Sequence, residues 1–222
     1  MLSFDSVYFS FGDDQIFEDL NFELKSGEFC FLIGKSGAGK STLIQLIYMN
    51  LFPQSGFIRV GDYCSNKIKS GDLPHLRRKL GIVFQDFRLL KDRNVYRNLE
   101  FVLEVTGTPR KEVKRKINNA LTDVGLSHKR YSMPHELSGG EQQRLAIARA
   151  VVNEPFLILA DEPTGNLDPE TSREILEILK KINSKGTAVL FATHNYELVK
   201  ENEARIIKLE NGKAFNAVIR QN

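Results

Sequence analysis

The chain has 222 residues, 41% of them hydrophobic and 27% charged, an ordinary composition for one water-facing domain with a substantial core. Its 31 Lys and Arg against 28 Asp and Glu leave a net charge of +3, too slight an excess to argue for nucleic acid or an anionic membrane as a direct partner. No apolar stretch approaches the roughly 18–20 residues that span a bilayer, and "MLSFDSVYFSFGDD" lacks a basic segment followed by an apolar one, so the chain is expected to be neither exported nor membrane-spanning by itself.

At the N-terminus, "SVYFSF" and "DLNFELKSGEFCFLIG" alternate and turn as antiparallel strands do, and so does "GFIRVGDY" after Pro53. Phe29–Ile33 is a short unbroken apolar run, as are Phe156–Ala160 and Ala188–Ala192 further on. Runs that short, without alternation, read as strands buried on both faces, the pattern of a parallel sheet covered by helices. The expected fold class is therefore α/β, with a mixed β-sheet core that includes an antiparallel portion. Cys30 lies inside the first run and is expected to be a buried free thiol, which suits a reducing compartment.

The first run ends in "GKSGAGKST", where Gly34, Gly39, Lys40 and Ser41 match G-x-x-x-x-G-K-[ST] between an apolar strand and the helical segment "STLIQLIYMN". Glycines let the backbone curl so that successive N–H groups point at phosphates, the helix start adds its positive end, Lys40 neutralises charge and the Ser41 hydroxyl can ligate Mg²⁺. Gly34, Lys35, Ser36, Gly37, Ala38, Gly39, Lys40, Ser41 and Thr42 are all expected to line a Mg-nucleotide site.

The middle, about 86–152, reads as mostly helical. In "TPRKEVKRKINNALTDVG", Val113, Ile117, Ala120, Leu121 and Val124 share one face, and the basic residues form a solvated one. In "HELSGGEQQRLAIARA", Ser138, Gly139 and Gly140 precede an unbroken helix-forming run, which makes a second phosphate cradle about 100 residues after the first. Next, "FLILADEP" is an apolar strand ending in Asp161 and Glu162, which should face the phosphates at the carboxyl edge of the sheet. Adjacent strand residues point opposite ways, so Asp161 is assigned to Mg²⁺ through water and Glu162, just past the strand, to the attacking water as general base. In "DPETSREILEILKKINSKG", Asp168 can cap, Pro169 fits the first helical position, Ile175, Leu176, Leu179 and Ile182 form a stripe, and Gly186 closes the helix. Gln85 after "LGIVF" and His194 after "AVLFAT" stand at the same sheet edge and are further catalytic candidates, each ambiguous alone.

In this order, "GKSGAGKST", Gln85, "LSGGEQQR", "LILADEP", "NLD" and His194 resemble the nucleotide-binding subunit of an ATP-binding cassette (ABC) transporter over essentially the whole chain. The resemblance implies a P-loop NTPase cassette that hydrolyses ATP with Mg²⁺. It implies one ATP-binding domain over 1–222, with a RecA-like and β core at about 1–85 and 153–222 and a helical signature subdomain at about 86–152. It also resolves the redundancy of cradles. In the family the serine-glycine-glycine signature completes the site of a second copy, so Ser138, Gly139 and Gly140 are expected on the partner's γ-phosphate in an ATP-dependent homodimer. By the same resemblance, Gln85 senses Mg²⁺ and the attacking water, and His194 holds the γ-phosphate and Glu162. Asp168 belongs to a loop that communicates across the dimer, and Phe11 stacks on adenine, with Tyr8 and Phe9 close enough to compete for that role.

"PTGNLD", 163–168, resembles the branch that includes lipoprotein-release, macrolide-export and cell-division subunits. "FQDFRLLKDRNVYRNLEF", 84–101, resembles the FtsE family of cell-division cassettes. That implies an FtsX-like integral membrane subunit as partner, a peripheral place on the cytoplasmic face of a bacterial inner membrane, and ATP-driven closure coupled to activation of peptidoglycan hydrolases. Phe87, Leu89, Leu90 and Tyr96 are candidates for the partner contact or, equally, for packing within the helical part. An exporter subunit would share every ATP-site residue and is the alternative. A soluble cassette protein acting on ribosomes or DNA usually has two cassettes or an inserted coiled coil, and neither is present.

Overall fold

The computed structural model describes residues 1–218. Strand β1 (Leu2–Phe11) turns back into β2 (Asp14–Leu24), and β3 (Phe29–Ile33) runs into helix α1 (Lys40–Ile47), followed by β4 (Ser55–Val60) and β5 (Tyr63–Cys64). Helix α2 (Leu73–Arg78) leads to β6 (Leu80–Phe84), after which α3 (Val95–Val105), α4 (Arg110–Asp123) and α5 (Gly139–Val151) follow with no strand between them. The last part alternates through β7 (Leu157–Asp161), α6 (Pro169–Asn183), β8 (Ala188–Thr193) and α7 (Tyr196–Lys200), and ends in β9 (Arg205–Glu210) and β10 (Lys213–Ala217).

Where one mixed sheet was expected, the strands divide between two. An antiparallel sheet has the order β2-β1-β4-β5, and a larger one has the order β10-β9-β3-β8-β7-β6, parallel from β9 to β6 with β10 antiparallel at its edge. The three apolar runs lie side by side at its centre as β3, β8 and β7. Their lack of alternation has a direct cause. Phe31, Ile33, Ile158, Ala160, Val189 and Phe191 pack against the helices α3 to α6 on one face, while Cys30, Leu32, Leu157, Leu159, Leu190 and Ala192 pack against α1 and the antiparallel sheet on the other. Burial pushes the Cys30 thiol up to about 12, so it is an inert packing group.

Helix α6 follows its sequence signals. The Asp168 carboxylate accepts from the Thr171 amide at 2.9 Å, Pro169 opens the helix, and Ile175, Leu176, Leu179 and Ile182 are buried. Helix α4 buries Ile117, Ala120 and Leu121 and leaves Lys111, Lys114 and Arg115 in solvent, with Val113 only partly covered. Helix α1 ends at Ile47, before the expected "YMN", because the backbone turns left-handed at Met49 (φ 54°).

Helix α5 crosses β6 closely, and Gly81 makes that possible. A Cβ there would meet the Ala150 carbonyl oxygen at 2.6 Å and Pro155 Cγ at 3.1 Å, contacts that cannot be relieved by rotating a side chain. Gly81→Ala is expected to destabilise the chain by about 1–3 kcal/mol in denaturant unfolding, whereas Gly71→Ala, at a site with nothing within 4 Å, should leave the midpoint unchanged.

Candidate functional site

The loop between β3 and α1 is pressed onto its neighbours. Gly39, at φ 96°, is the residue before α1, and a Cβ on it would lie 2.9 Å from both Ile16 Cγ2 and Phe17 Cζ of β2. The next residue, Lys40, is 7% exposed and turns its ammonium back over the loop. Its Nζ donates to the Gly34 carbonyl at 2.8 Å and the Lys35 carbonyl at 3.3 Å, and lies 3.2 Å from Glu162 Oε1. An ammonium has three donors, and here each has an oxygen of this chain. A phosphate entering the loop must displace one of them, and the carboxylate is the one that can swing away.

The carboxylates at the end of β7 diverge. Asp161 closes the strand and accepts from Ser41 Oγ at 3.0 Å, and burial pushes its carboxyl above the ordinary range against the lowering effect of that hydrogen bond. Glu162 adopts a left-handed conformation (φ 48°), with its amide donating to the Ala192 carbonyl on β8 at 3.0 Å. That kink brings its side chain over the loop, where Oε1 faces Lys40 and Oε2 accepts from the His194 amide at 3.2 Å and meets His194 Nδ1 at 2.9 Å. The pair Ser41 and Asp161 and the trio Lys40, Glu162 and His194, joined through the consecutive residues 40–41 and 161–162, thus form one connected set. Ser41 Oγ spends its proton on Asp161 and keeps its lone pairs free, a donor set that fits a hydrated Mg²⁺ shared with phosphates. Among the described residues no group of three His, Cys, Asp or Glu could enclose a metal alone.

Gln85 lies outside this set. Its Nε2 donates to Asn166 Oδ1 at 3.1 Å, and Asn166 Nδ2 donates back to the Gln85 carbonyl at 3.2 Å. Asn166, missed in the sequence, precedes Asp168, whose carboxylate also accepts from Thr171 Oγ1 at 2.6 Å. Ser138 is a capping residue: its Oγ accepts from the Glu141 amide at 3.2 Å and its amide donates to Glu141 Oε2 at 2.8 Å, which holds the Glu141 carboxyl below its usual range. Ser138 and Gly139 are exposed, and among the described residues no hydrogen bond joins 138–140 to the Lys40 loop. Phe11 stands at the end of β1, 50% exposed and edge-on to the buried Phe9 at 4.9 Å, and it too is apart from the connected set. Of the three aromatic candidates Phe11 alone offers a largely free ring, since Phe9 is 6% exposed and Tyr8 is half-buried.

The segment after Gln85 is held by two side chains that the sequence did not single out. Arg149 of α5 donates to the carbonyls of Phe87 and Arg88, and the fully buried Asn98 bonds Leu90 N, Leu90 O, Arg93 O and Asn94 O. Asp86 to Leu89, with Lys91, Pro134, His135 and Gln142, line a groove of about 340 Å³. Leu89 and Tyr96 pack against the core, and Phe87 and Leu90 are half-buried.

The model of the ABC transporter family matches residues 17–165. The cell division ATP-binding protein FtsE of Mycobacterium tuberculosis (strain ATCC 25618 / H37Rv) is 50% identical over 196 residues, 88% of this chain and 85% of that protein. FtsE of Escherichia coli (strain K12) is 42% identical over 219 residues, 98% of this chain and 99% of that protein. The dimeric ATP-binding cassette MJ0796, in a post-hydrolysis state bound to ADP and Pi, superposes with a TM-score of 0.85 at 32% identity over 100% of both chains. The cbiO1 protein from Clostridium perfringens, part of the transporter complex cbiONQ, gives 0.89 at 30% identity over 96% of this chain and 86% of its own. A P-loop whose lysine faces a strand-end glutamate, and relatives that include a cassette caught with ADP and Pi, agree: this chain is an ATP-binding, ATP-hydrolysing cassette of the ABC transporter family, in the group of the FtsE proteins.

Proposed function

We propose that two copies of this chain close head to tail on two ATP molecules and that each hydrolyses its own. The observation that carries this is the position of Ser138. It caps α5 where Ser138 and Gly139 are exposed, has no hydrogen bond to the Lys40 loop among the described residues, and is suited to a phosphate arriving from outside the chain. In the chain's own site, the loop amides of 34–42 and the start of α1 receive the phosphates, and the γ-phosphate displaces Glu162 from Lys40. Ser41, Asp161 (through water) and Gln85 would hold Mg²⁺, which when bound would supply positive charge against the phosphates. Glu162, released from the ammonium but kept by His194, takes the proton of the attacking water, and His194 orients both that carboxylate and the γ-phosphate. Phe11 offers its exposed ring to adenine, and Asp168 fixes the loop that meets the partner copy. The sheets with their flanking segments, about 1–85 and 153–222, act as the core of a single domain, and 86–152 as the part that carries the cradle to the partner.

Glu162→Gln keeps the side chain's shape but removes the proton acceptor and the negative charge that faces Lys40. The variant should bind ATP at least as tightly as wild type and collect as a dimer on size exclusion with ATP, with hydrolysis down by roughly 10²-fold or more. A variant that stays monomeric with ATP contradicts the shared site.

We further read the chain as the ATPase subunit of a bacterial cell-division complex, bound at the cytoplasmic face of the membrane to an FtsX-like integral subunit whose extracytoplasmic part activates peptidoglycan hydrolases. Identity of 42–50% to FtsE proteins and the FtsE-like segment 84–101 support this, and no described helix is long and apolar enough to cross a membrane. The groove after Gln85, with Phe87 on its wall, is the docking place. Phe87→Asp should reduce recovery of the chain in membranes that contain the FtsX-like subunit by about tenfold, one hot-spot contact, without changing ATP binding. Recovery of a lipoprotein-releasing permease instead of an FtsX-like subunit would replace this reading with an exporter.

A further inference from the structure

Phe87 and Arg88 are consecutive non-glycine residues in the left-handed region, at φ 58° and 49°. Such a pair is costly for L-residues and persists only where the surroundings over-determine it. Locally the Arg88 amide donates to the Asp86 carbonyl and its guanidinium lies over the Phe84 ring at 3.9 Å, and among the described residues the one restraint on the pair from a distant element is Arg149. Arg149, in the last turn of α5, reaches across 61 and 62 positions of sequence to donate from Nη1 to the Arg88 carbonyl and from Nη2 to the Phe87 carbonyl at 2.9 Å. A planar guanidinium fork fixes two carbonyls at a set spacing, which a point-charge ammonium cannot do. Its burial lowers its own proton affinity, so it has left water to make these bonds.

The other end of α5 is the Ser138 cradle. From Ser138 to Arg149 is one uninterrupted helix of about 17 Å, seated against β6 at Gly81, so a tilt of the cradle moves Arg149 as part of the same rod. At the cradle end, Gly140 meets Thr171, where an added Cβ would lie 2.6 Å from Cγ2, and Thr171 is bound by Asp168. Asp168 follows Asn166, which is interlocked with Gln85. The contacts form a closed ring from the cradle through Asp168 and Asn166 to Gln85, and back through Phe87 and Arg88 to Arg149 and α5.

We propose that Arg149 is a positioning residue that ties the attitude of α5 to Gln85, so that a partner's nucleotide seated on Ser138 sets Gln85 in the chain's own site and makes the two hydrolyses interdependent. The proposal rests on the shared-site reading given above. Arg149 touches no nucleotide in it, and it acts on the reaction only through Gln85.

The test is a double-mutant cycle on the full chain, with kcat, KM and the cooperativity of hydrolysis in ATP as readouts. Arg149→Met should lower kcat about tenfold or more, leave KM for ATP within about twofold, and reduce the Hill coefficient toward 1. Combined with Gln85→Ala it should lose no more than Gln85→Ala alone, because both changes remove the same placement. Arg149→Lys, which keeps the charge but not the fork, should show the same non-additivity with a smaller loss, and it decides the matter if the Met variant melts early. Losses that multiply in the double variant, an unchanged rate in Arg149→Met, or a rise in KM that accounts for the whole loss overturns the proposal. Failure of the underlying reading has its own signature, a Glu162→Gln variant that stays monomeric with ATP, whereas a Gln85→Ala variant of full activity removes the proposal and leaves the shared site standing.

Discussion

A single carboxylate, that of Glu162, organises the site, because it pairs with Lys40 and His194 at once and, on the proposed reading, must then reach a water on the γ-phosphate. Strand geometry alone would send it to the opposite face from Asp161. The chain meets the requirement with a left-handed residue directly after β7, pinned through its amide to β8. The strain sits beside β8, buried throughout, and β7, buried up to Asp161, where rigid surroundings can support it. Before nucleotide arrives, the same carboxylate fills the place of a phosphate on Lys40. The isolated site is therefore self-satisfied, and on the proposed reading ATP enters by exchange of one anion for another, which would couple binding to release of Glu162 as the base.

Everything else in the fold serves the convergence of strand ends. Parallel β3, β8, β7 and β6 bring Gly34, His194, Glu162 and Gln85 to one edge although they are far apart in sequence. The second cradle, at the start of α5 between β6 and β7, makes no hydrogen bond to the Lys40 loop among the described residues. On the proposed reading one chain holds two incomplete halves, and completeness is available only to a pair. The conformational work would then follow from population shift, with ATP binding the closed pair better than the open one and hydrolysis removing that preference.

Much of this was legible in the sequence because the informative positions are locally encoded. The three apolar runs, the P-loop between strand and helix, and the Asp168-Pro169 helix start need only neighbouring residues to be read. What stayed hidden depends on contacts over long separations. The hold of Arg149 on Phe87 and Arg88 looks in sequence like one more basic residue in a helix, and Asn98 looks like a polar position rather than a hub of four hydrogen bonds. The division into two sheets was hidden because pairing partners, not strand content, decide it. One miss had a signal: Asn211-Gly212, both at positive φ, is a hairpin turn, and it could have revealed β9 and β10. The groove residues were undecidable from sequence, since a half-buried Phe87 and a packed Leu89 share the same apolar character.

The claim on which the account stands is that each site takes its lysine from one copy and its Ser138 from the other. Mixing two inactive chains tests it most directly. Lys40→Ala destroys the first cradle and Ser138→Arg the second, so a mixed pair contains one site with both defects and one with neither. The account predicts that equal amounts of the two variants, each inactive alone, recover ATPase activity clearly above either one, up to about a quarter of the wild-type rate when pairing is random, with interdependence of the two sites lowering it below that ceiling. A mixture no more active than its separate components would contradict it.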